Sequence, residues 1–342
     1  MPSPTDPDAR IHWFARLEHR LHVWREGRAR KRGRTATVLP FPGYGGRGWV
    51  RLVGRVLIVP LARRDANGEF ASIRGWRSFV GIPVSFATVQ VTIGGAVHDV
   101  QADRGGVIDA VVEADLPSGW QEYTVSVEGS EPVTGSAFIV GADVEFGVVC
   151  DVDDTVMVTA LPRPFIAAWN SFVVDEHARI PVPGMAVLLD QLQRQHPGAP
   201  VIYLSTGAWN IAPTLRRFLT RHLFPAGAML LTDWGPTHDR WFRSGREHKL
   251  TNLDRLAEQF PHVRWLLIGD DGQHDEAIYG DFMQRHPGAV TGVAIRQLST
   301  AEAGLAGGRA TGDDHSGDTV PWVAAPDGAG LRDRLGEVGL LD

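Results

Sequence analysis

The second half of the chain alternates between two kinds of segment, and this alternation constrains the fold more than any other feature. Three apolar runs, FGVVC, VIYLS and WLLIG, are each followed by polar residues. Around them stand stretches with apolar residues at helical spacing, GMAVLLDQLQRQH, NIAPTLRRFLTRH and HKLTNLDRLAEQF. Strands that alternate with helices predict a parallel sheet covered by helices, with ligands at the carboxyl ends of the strands. We therefore predict an α/β domain over residues 145–330, followed by a tail over 331–342.

The first half follows a different pattern. From Trp49 to about Val144, apolar and polar residues alternate in short runs such as FATVQVTI and QEYTVSVEG, separated by turn clusters. Such runs predict an antiparallel β-sandwich of about seven strands, of the immunoglobulin or transthyretin type. We place this domain at residues 41–144.

A glycine-rich stretch, GYGGRG, runs from Gly43 to Gly48 and matches the dinucleotide-binding pattern G-x-G-x-x-G. That motif needs a strand before it and a helix after it. Here VLPFP precedes the glycines and a β-pattern follows them, so we predict a flexible entry loop rather than a nucleotide site.

The N-terminal segment, residues 1–40, is strongly basic. Residues 10–34 carry nine Lys or Arg against two Glu, a local charge of +7 in a chain whose net charge is −6. Apolar residues within it recur at helical spacing, at Ile11, Phe14, Leu17, Leu21 and Trp24. Such a helix either docks its apolar stripe on the protein or lies on an anionic membrane surface. Without an 18-residue apolar run or a signal-peptide pattern, we expect a cytoplasmic protein, free or peripheral to a membrane, with no nucleic-acid partner.

Three aspartates, Asp151, Asp153 and Asp154, follow the run FGVVC within four positions. Like charges this close repel one another, so a cation is expected beside them. A calcium-binding EF-hand is excluded, because its sixth position would be Val156 and its twelfth Pro162. The remaining interpretation is a hard divalent cation at the strand tips, with one aspartate as a nucleophile that forms an aspartyl-phosphate. The aspartate two residues on can then exchange protons with the leaving group and with water.

Three further parts of such a site follow in order along the chain. VIYLS ends in Ser205, a hydroxyl for the phosphoryl oxygens, and GREHKL supplies the cation Lys249. WLLIGDDGQHD adds the carboxylates Asp270, Asp271 and Asp275.

This order of D-x-D-x-T, Ser, Lys and G-D-x4-D resembles the haloacid-dehalogenase-like (HAD-like) phosphatase superfamily. A more specific resemblance, over most of residues 40–330, is to the actin-patch-associated phosphatidate phosphatase family. It is carried by the segments FGVVCDVDDTV, YLSTGAWN, HKL and LLIGDDGQHDEAIY, which follow GYGGRGWVRLVGRVL. The resemblance implies a HAD-like, Rossmannoid catalytic domain. It also implies Mg²⁺ as cofactor and release of diacylglycerol and phosphate from phosphatidate.

By this resemblance Asp151 is the nucleophile, Asp153 the acid and base, and Ser205 with Lys249 binds the phosphoryl group. The implied metal group is Asp151, Asp153, Asp270 and Asp275. The sequence departs from the pattern of this family at two places. TGA replaces the usual Asn-Ser-Pro after the serine, which makes Thr206 a rival phosphoryl ligand, and Asp271 stands where a serine is common.

Two alternatives to a phosphatidate phosphatase stay open at this point. The same chemistry could serve a soluble phosphate ester, with access restricted by the β-domain and by an insertion between residues 157 and 182. A module that binds metal without turnover is the other, although the intact pair Asp151 and Asp153 argues against it. His238 and His248 are interpreted as structural residues beside the site.

Overall fold

The computed structural model describes residues 35–58, 81–158, 179–232, 238–272, 274–306 and 319–342. The predicted basic helix in residues 10–34 lies outside this set, as does most of the insertion after residue 157. The chain divides into two compact units. Of the described residues, the first unit contains those up to 40 and those in 53–110 and 123–135, and the second contains those in 41–52, 111–122 and 136–342.

Eight strands occupy the first half of the described chain. They are β1 Ala36–Gly46, β2 Trp49–Ile58, β3 Ile82–Pro83, β4 Thr88–Ile93, β5 Ala96–Gln101, β6 Val107–Glu113, β7 Gly119–Val127 and β8 Val133–Ile139. They form one hydrogen-bonded sheet in the order β3-β2-β1-β8-β7-β4-β5, with β6 paired to β2. Strand β4 pairs antiparallel with β5 and β7, but β1 and β8 run parallel. The half is β-structured as predicted, whereas an antiparallel sandwich is not confirmed.

The stretch GYGGRG is part of a hairpin, so the prediction of a flexible loop was wrong. Gly43 and Gly45 lie within β1, and the turn to β2 passes through Gly48, whose φ of 82° suits glycine. A Cβ on Gly45 would lie 2.5 Å from the carbonyl oxygen of Trp49. Glycine is needed here because the two strands approach closely, and not because the backbone is loose.

The second half carries eight further strands. They are β9 Phe146–Asp151, β10 Met157–Val158, β11 Ile180–Pro181, β12 Val201–Ala208, β13 Ala228–Thr232, β14 Arg264–Asp270, β15 Val290–Arg296 and β16 Trp322–Ala325. Six form a sheet in the order β13-β12-β9-β14-β15-β16, and each neighbouring pair is parallel. Strands β10 and β11 form a separate antiparallel pair. The predicted parallel sheet is confirmed.

Helices connect these strands. They are α1 Met185–Gln195, α2 Ala212–Arg221, α3 His238–Gln259, α4 Asp275–Arg285, α5 Thr300–Ala306 and α6 Gly328–Glu337, with a 3₁₀ turn at Trp209–Ile211. The first three correspond to the predicted helical stretches, but α3 begins at His238, ten residues before the predicted stretch HKLTNLDRLAEQF. Helix α6 occupies part of the predicted tail, and its Leu331 and Leu335 are fully buried. Among the described helices, none has the length and apolar character needed to cross a bilayer.

Strand β9 is the central strand of the parallel sheet and marks the point where the strand order reverses. The chain proceeds from β9 to β12 and β13 on one side, and then to β14, β15 and β16 on the other. All residues of β9 after Phe146 are buried, as expected for a strand covered on both faces. In open α/β sheets, ligands bind outside the carboxyl ends of the strands at such a reversal.

The β1–β2 hairpin contributes to the core of the second unit. Tyr44 and Trp49 pack against Phe260, which follows α3. The Tyr44 hydroxyl accepts a hydrogen bond from Arg51 Nη1 at 2.8 Å and donates one to Gln259 Oε1 at 2.9 Å. Because Arg51 is only 4% exposed, this chain of hydrogen bonds joins residues 44–51 to the end of α3 within the second unit.

Candidate active site

The predicted site residues meet at one edge of the parallel sheet. Asp151 is the last residue of β9, and Asp270 is the last residue of the neighbouring strand β14. Ser205 lies in β12, on the other side of β9. Lys249 reaches this edge from α3, and Asp275 begins α4. Residues that are far apart in the chain are therefore brought together at the carboxyl ends of adjacent strands.

Lys249 is the cation at the centre of this edge. Its Nζ lies 2.7 Å from Asp151 Oδ1 and 2.5 Å from Asp275 Oδ1. The lysine side chain is 9% exposed and both carboxylates are 4% exposed. Burial alone would lower the pKa of Lys249, but attraction to the two carboxylates outweighs it and raises that pKa. Lys249 is therefore cationic at neutral pH.

Three carboxylates, Asp151, Asp270 and Asp275, each place an oxygen within 4.8 Å of the others. Burial raises the pKa of Asp151 and that of Asp270, and repulsion from Asp275 raises both further. Among the described residues, Lys249 is the cation that contacts this cluster, and its one positive charge does not balance three carboxylates, two of which are buried. Carboxylate oxygens are ligands that hard divalent cations such as Mg²⁺ prefer, and the cluster fits one. Asp153, also predicted as a metal ligand, lies outside this group.

Asp153 instead forms a hydrogen bond with Ser205. The serine Oγ donates a hydrogen bond to Asp153 Oδ2 at 2.9 Å and accepts one from the backbone N–H of Gly207 at 2.9 Å. The other oxygen, Asp153 Oδ1, is buried without a hydrogen-bond partner in the described part of the chain. Burial raises the pKa of Asp153, although the Ser205 hydrogen bond and Arg179 oppose this shift. A carboxyl group held this way can carry a proton.

The two candidate phosphoryl ligands are placed differently. Ser205 is fully buried and turned toward Asp153, whereas Thr206 is partly exposed. The carbonyl oxygen of Thr206 accepts a hydrogen bond from Thr232 Oγ1 at 2.9 Å, which fixes the backbone after Ser205. Of the two side chains, Ser205 is the one hydrogen-bonded to Asp153, and Thr206 is the more accessible.

Asp271 and His248 lie beside the site and have structural surroundings. Asp271 Oδ1 accepts a hydrogen bond from the backbone N–H of Leu298 at 2.8 Å, which ties together the loops after β14 and β15. Burial lowers the pKa of His248 to about 4, so this ring is neutral at physiological pH. The side chain of His238 is not among those described.

Sequence reasoning missed two arginines beside the site, Arg179 and Arg296. Arg179, just before β11, contacts Met157 Sδ at 3.5 Å and interacts electrostatically with Asp153. Arg296 ends β15 and is 5% exposed. Arginine is common in this chain, so neither position stands out in the sequence. Lysine is rare by contrast: among 34 Lys and Arg residues only Lys31 and Lys249 are lysines, which sets Lys249 apart in the sequence in a way that neither arginine is.

A cavity of about 560 Å³ lies elsewhere in the second unit, with Val144, Asp190, Arg194 and Ala199 among its lining residues. Val144 precedes β9 and Ala199 precedes β12, so this cavity is near the amino ends of the strands. The carboxylate cluster is at their carboxyl ends, and the cavity is not part of the site.

Two solved structures show only a distant likeness to this chain. A carbohydrate acetylesterase from Xanthomonas citri has a TM-score of 0.28 and 10% identity, with 79% of this chain and 73% of that one covered. A 2,6-sialyltransferase from a Photobacterium species has a TM-score of 0.27 and 9% identity, with 86% and 57% covered. Similarities this low carry no argument about fold or function.

Sequence comparison is more informative. Residues 146–297 match the family model described as "Phosphatidate phosphatase APP1, catalytic domain". The chain is also 22% identical over 158 residues to phosphatidate phosphatase APP1 of Saccharomyces cerevisiae. That match covers 45% of this chain but 26% of the yeast protein, so the chain spans about a quarter of its relative. Asp151, Ser205 and Asp270, the strand-end residues of the site, all fall inside the range that is similar to this catalytic domain.

Proposed function

We propose that this chain is a Mg²⁺-dependent phosphatase of the HAD-like class, which hydrolyses a phosphomonoester through an aspartyl-phosphate on Asp151. The observation that carries the proposal is the ion-paired position of Asp151 against Lys249, beside the hydrogen-bonded pair Asp153 and Ser205. A nucleophile, a proton carrier and a fixed cation thus stand at one sheet edge. Their order in the chain and the family match support the same reaction.

Asp151, Asp270 and Asp275 would hold the Mg²⁺ ion, because their oxygens converge and their charge exceeds that of the single lysine. Bound there, a divalent cation would neutralise the phosphoryl oxygens and complete the charge balance of the site. The resemblance adds Asp153 to this group, and that assignment remains part of the proposal.

The chemical role of each side chain follows from its surroundings. A carboxylate oxygen of Asp151 attacks phosphorus, the bond from phosphorus to the leaving oxygen breaks, and Asp153 gives its proton to that oxygen. Water then attacks the phosphorus of the aspartyl-phosphate, the bond to Asp151 breaks, and Asp153 accepts the proton of the water. Lys249 reduces the repulsion between Asp151 and the incoming phosphate, and Ser205 or Thr206 orients the phosphoryl oxygens.

The elevated pKa of Asp153 supports its role as the proton donor. Burial favours the protonated form of this carboxyl group, and a catalytic acid must be protonated when the substrate arrives. Asp151 needs to be ionised for attack, and Lys249 favours that form against the effect of burial. The different partners of Asp151 and Asp153 thus favour the ionised form of the first and the protonated form of the second.

Phosphatidate is the substrate that we favour, because the yeast relative is named for its action on that lipid. The basic segment at residues 10–34 would suit a peripheral contact with an anionic membrane. A soluble phosphate ester at the same site is the second candidate, and a metal-binding module without turnover is the third. The paired aspartates and the buried lysine favour catalysis over the third.

Phosphate release by the purified full chain tests the proposal. The substrates are phosphatidate in vesicles, a short-chain phosphatidate and a soluble sugar phosphate, each with Mg²⁺ and with a chelator. We expect Mg²⁺-dependent release that disappears in Asp151→Asn, by about 10³-fold or more. Release from the sugar phosphate alone would favour the second candidate. Metal binding by calorimetry without release from any substrate would favour the third and refute the enzyme.

A matched deletion separates membrane contact from chemistry. Removal of residues 1–34 should lower the rate on phosphatidate in vesicles and leave the rate on the short-chain analogue unchanged, because both substrates undergo the same reaction. The electrostatic contribution is about 1 kcal/mol per basic residue near an anionic surface and is screened at high salt. Equal activity of both forms on vesicles at low and high salt would remove the membrane role from the proposal.

A further inference from the structure

Arg296 connects three segments around the site through one buried guanidinium group. Its Nη1 donates a hydrogen bond to the backbone carbonyl oxygen of Asp154 at 2.6 Å. Its Nη2 pairs with Glu302 Oε1 at 2.6 Å, and its Nε donates to the carbonyl oxygen of Pro326 at 3.2 Å. The side chain of Arg296 is 6% exposed and that of Glu302 is 19% exposed, so the guanidinium group makes these interactions away from bulk water. Charge-assisted hydrogen bonds in such surroundings are strong and directional.

The carbonyl held by Arg296 belongs to a backbone turn of unusual conformation. Asp154 has a φ of 59°, the left-handed region that non-glycine residues seldom adopt. The turn is closed by a hydrogen bond from the N–H of Asp154 to the carbonyl oxygen of Met157 at 2.9 Å. Asp153 is the residue immediately before it. The position of the Asp153 carboxyl group therefore depends on a turn that is stabilised by the guanidinium group of Arg296, a residue far away in the sequence.

Arg296 also binds the second acidic loop through its backbone. Its carbonyl oxygen accepts a hydrogen bond from the N–H of Asp271 at 2.9 Å. Asp271 follows Asp270, a member of the carboxylate cluster. The end of β15 thus holds both the turn after β9 and the loop after β14, and it does so from a strand that supplies no residue to the proposed chemistry.

We propose that Arg296 is a positioning residue, which fixes the turn after Asp153 so that this carboxyl group transfers its proton efficiently to the leaving oxygen. The inference rests on the proposed phosphatase function and adds a residue to it. In the step concerned, the bond between phosphorus and the leaving oxygen breaks as Asp153 supplies a proton to that oxygen. A displaced Asp153 impairs this step most when the leaving group is an alkoxide, because p-nitrophenolate departs without protonation.

The experiment compares kcat/KM on a short-chain phosphatidate and on p-nitrophenyl phosphate in Arg296→Met. The ratio kcat/KM reports the steps up to the first phosphoryl transfer, so the later hydrolysis of the aspartyl-phosphate does not obscure the comparison. General acid catalysis contributes about 10²–10⁴-fold, and we expect the variant to lose at least about tenfold more on the alkyl ester than on the aryl ester. Circular dichroism melting is measured in parallel.

Two further variants complete the test. Arg296→Lys keeps a buried cation but not the three-way hydrogen bonding, and it should show the same selective loss if Arg296→Met does not fold. Glu302→Gln retains an oxygen that can accept from Arg296 Nη2, so it should lower stability without selective loss on the alkyl ester.

Equal losses on the two esters, or unchanged activity on both, in a folded Arg296 variant would overturn the positioning role. If the wild-type protein released phosphate from neither ester with Mg²⁺ present, the proposed function itself would fail, and this inference with it.

Discussion

Replacing Lys249 by methionine is expected to reduce both catalysis and stability. The side chain of Lys249 forms ion pairs of 2.7 Å with Asp151 and 2.5 Å with Asp275, and none of the three is more than 9% exposed. Methionine has a similar volume but carries no charge, so the substitution leaves two buried carboxylates without their cation. An interpretation of the sequence alone predicts a loss of rate with nearly unchanged melting, and the burial of Lys249 changes that expectation.

The size of the effect follows from these contacts. Removing one partner of a buried ion pair typically costs about 3–5 kcal/mol. The carboxylates can offset part of this cost by taking up a proton, because burial already raises the pKa of Asp151. We therefore expect a loss of about 3 kcal/mol in the free energy of unfolding near neutral pH, at the lower end of that range. The rate should fall by about 10²–10³-fold, as when a fixed group that stabilises transition-state charge is removed.

Urea unfolding without divalent cation measures the stability, and phosphate release with Mg²⁺ measures the rate. The matched control is Arg285→Met, which breaks a pair with Asp254 in which the arginine side chain is 43% exposed. Exposed pairs contribute about 1 kcal/mol or less, so this control should retain its activity and almost all of its stability. Unchanged unfolding and an unchanged rate in Lys249→Met would refute the reasoning about the buried cation.

The site allows three further predictions. In Gly269→Ala the added Cβ would lie 2.6 Å from Asp275 Oδ2, so activity should fall by about tenfold or more while the melting temperature drops by only a few degrees. Ser205→Ala should lower kcat/KM more than Thr206→Ala, because Ser205 donates a hydrogen bond to Asp153, the proposed proton carrier. The reverse order would transfer the main role to the threonine. The pKa of His248 is about 4 in the folded protein, below its value in the unfolded chain. The neutral ring therefore contributes at most about 3 kcal/mol to the free energy of unfolding, and this contribution is complete above about pH 6.5 and is lost as pH falls toward 4. Urea unfolding of His248→Gln across this range should show a smaller loss on acidification than the wild type.

The convergence of the candidate residues at the strand ends could be predicted because each of them stands beside a recognisable local pattern. Asp151 follows a continuous apolar run, which is typical of a strand buried on both faces. Ser205 and Asp270 stand at the ends of two runs of the same kind. Parallel strands bring such ends to one edge, so spacing along the chain was enough to predict that they meet.

The remaining features depend on contacts that no local pattern records. Gly43 and Gly45 suggested a loose loop, but the glycines serve the close approach of two strands. The pairing of β1 with β8 joins segments nearly a hundred residues apart and has no sequence signal. Nothing in the sequence distinguishes Arg296 from the other arginines, and only the fold brings it into hydrogen-bond contact with the carbonyl oxygen of Asp154.

The identity of the phosphorylated residue tests the central claim most directly. The wild-type chain is mixed with radiolabelled short-chain phosphatidate and Mg²⁺, quenched within the first turnover, digested and analysed by mass spectrometry. The account predicts an acyl-phosphate that hydroxylamine cleaves, located on Asp151 and absent in Asp151→Asn. A label on Ser205, or full turnover by Asp151→Asn, would contradict it.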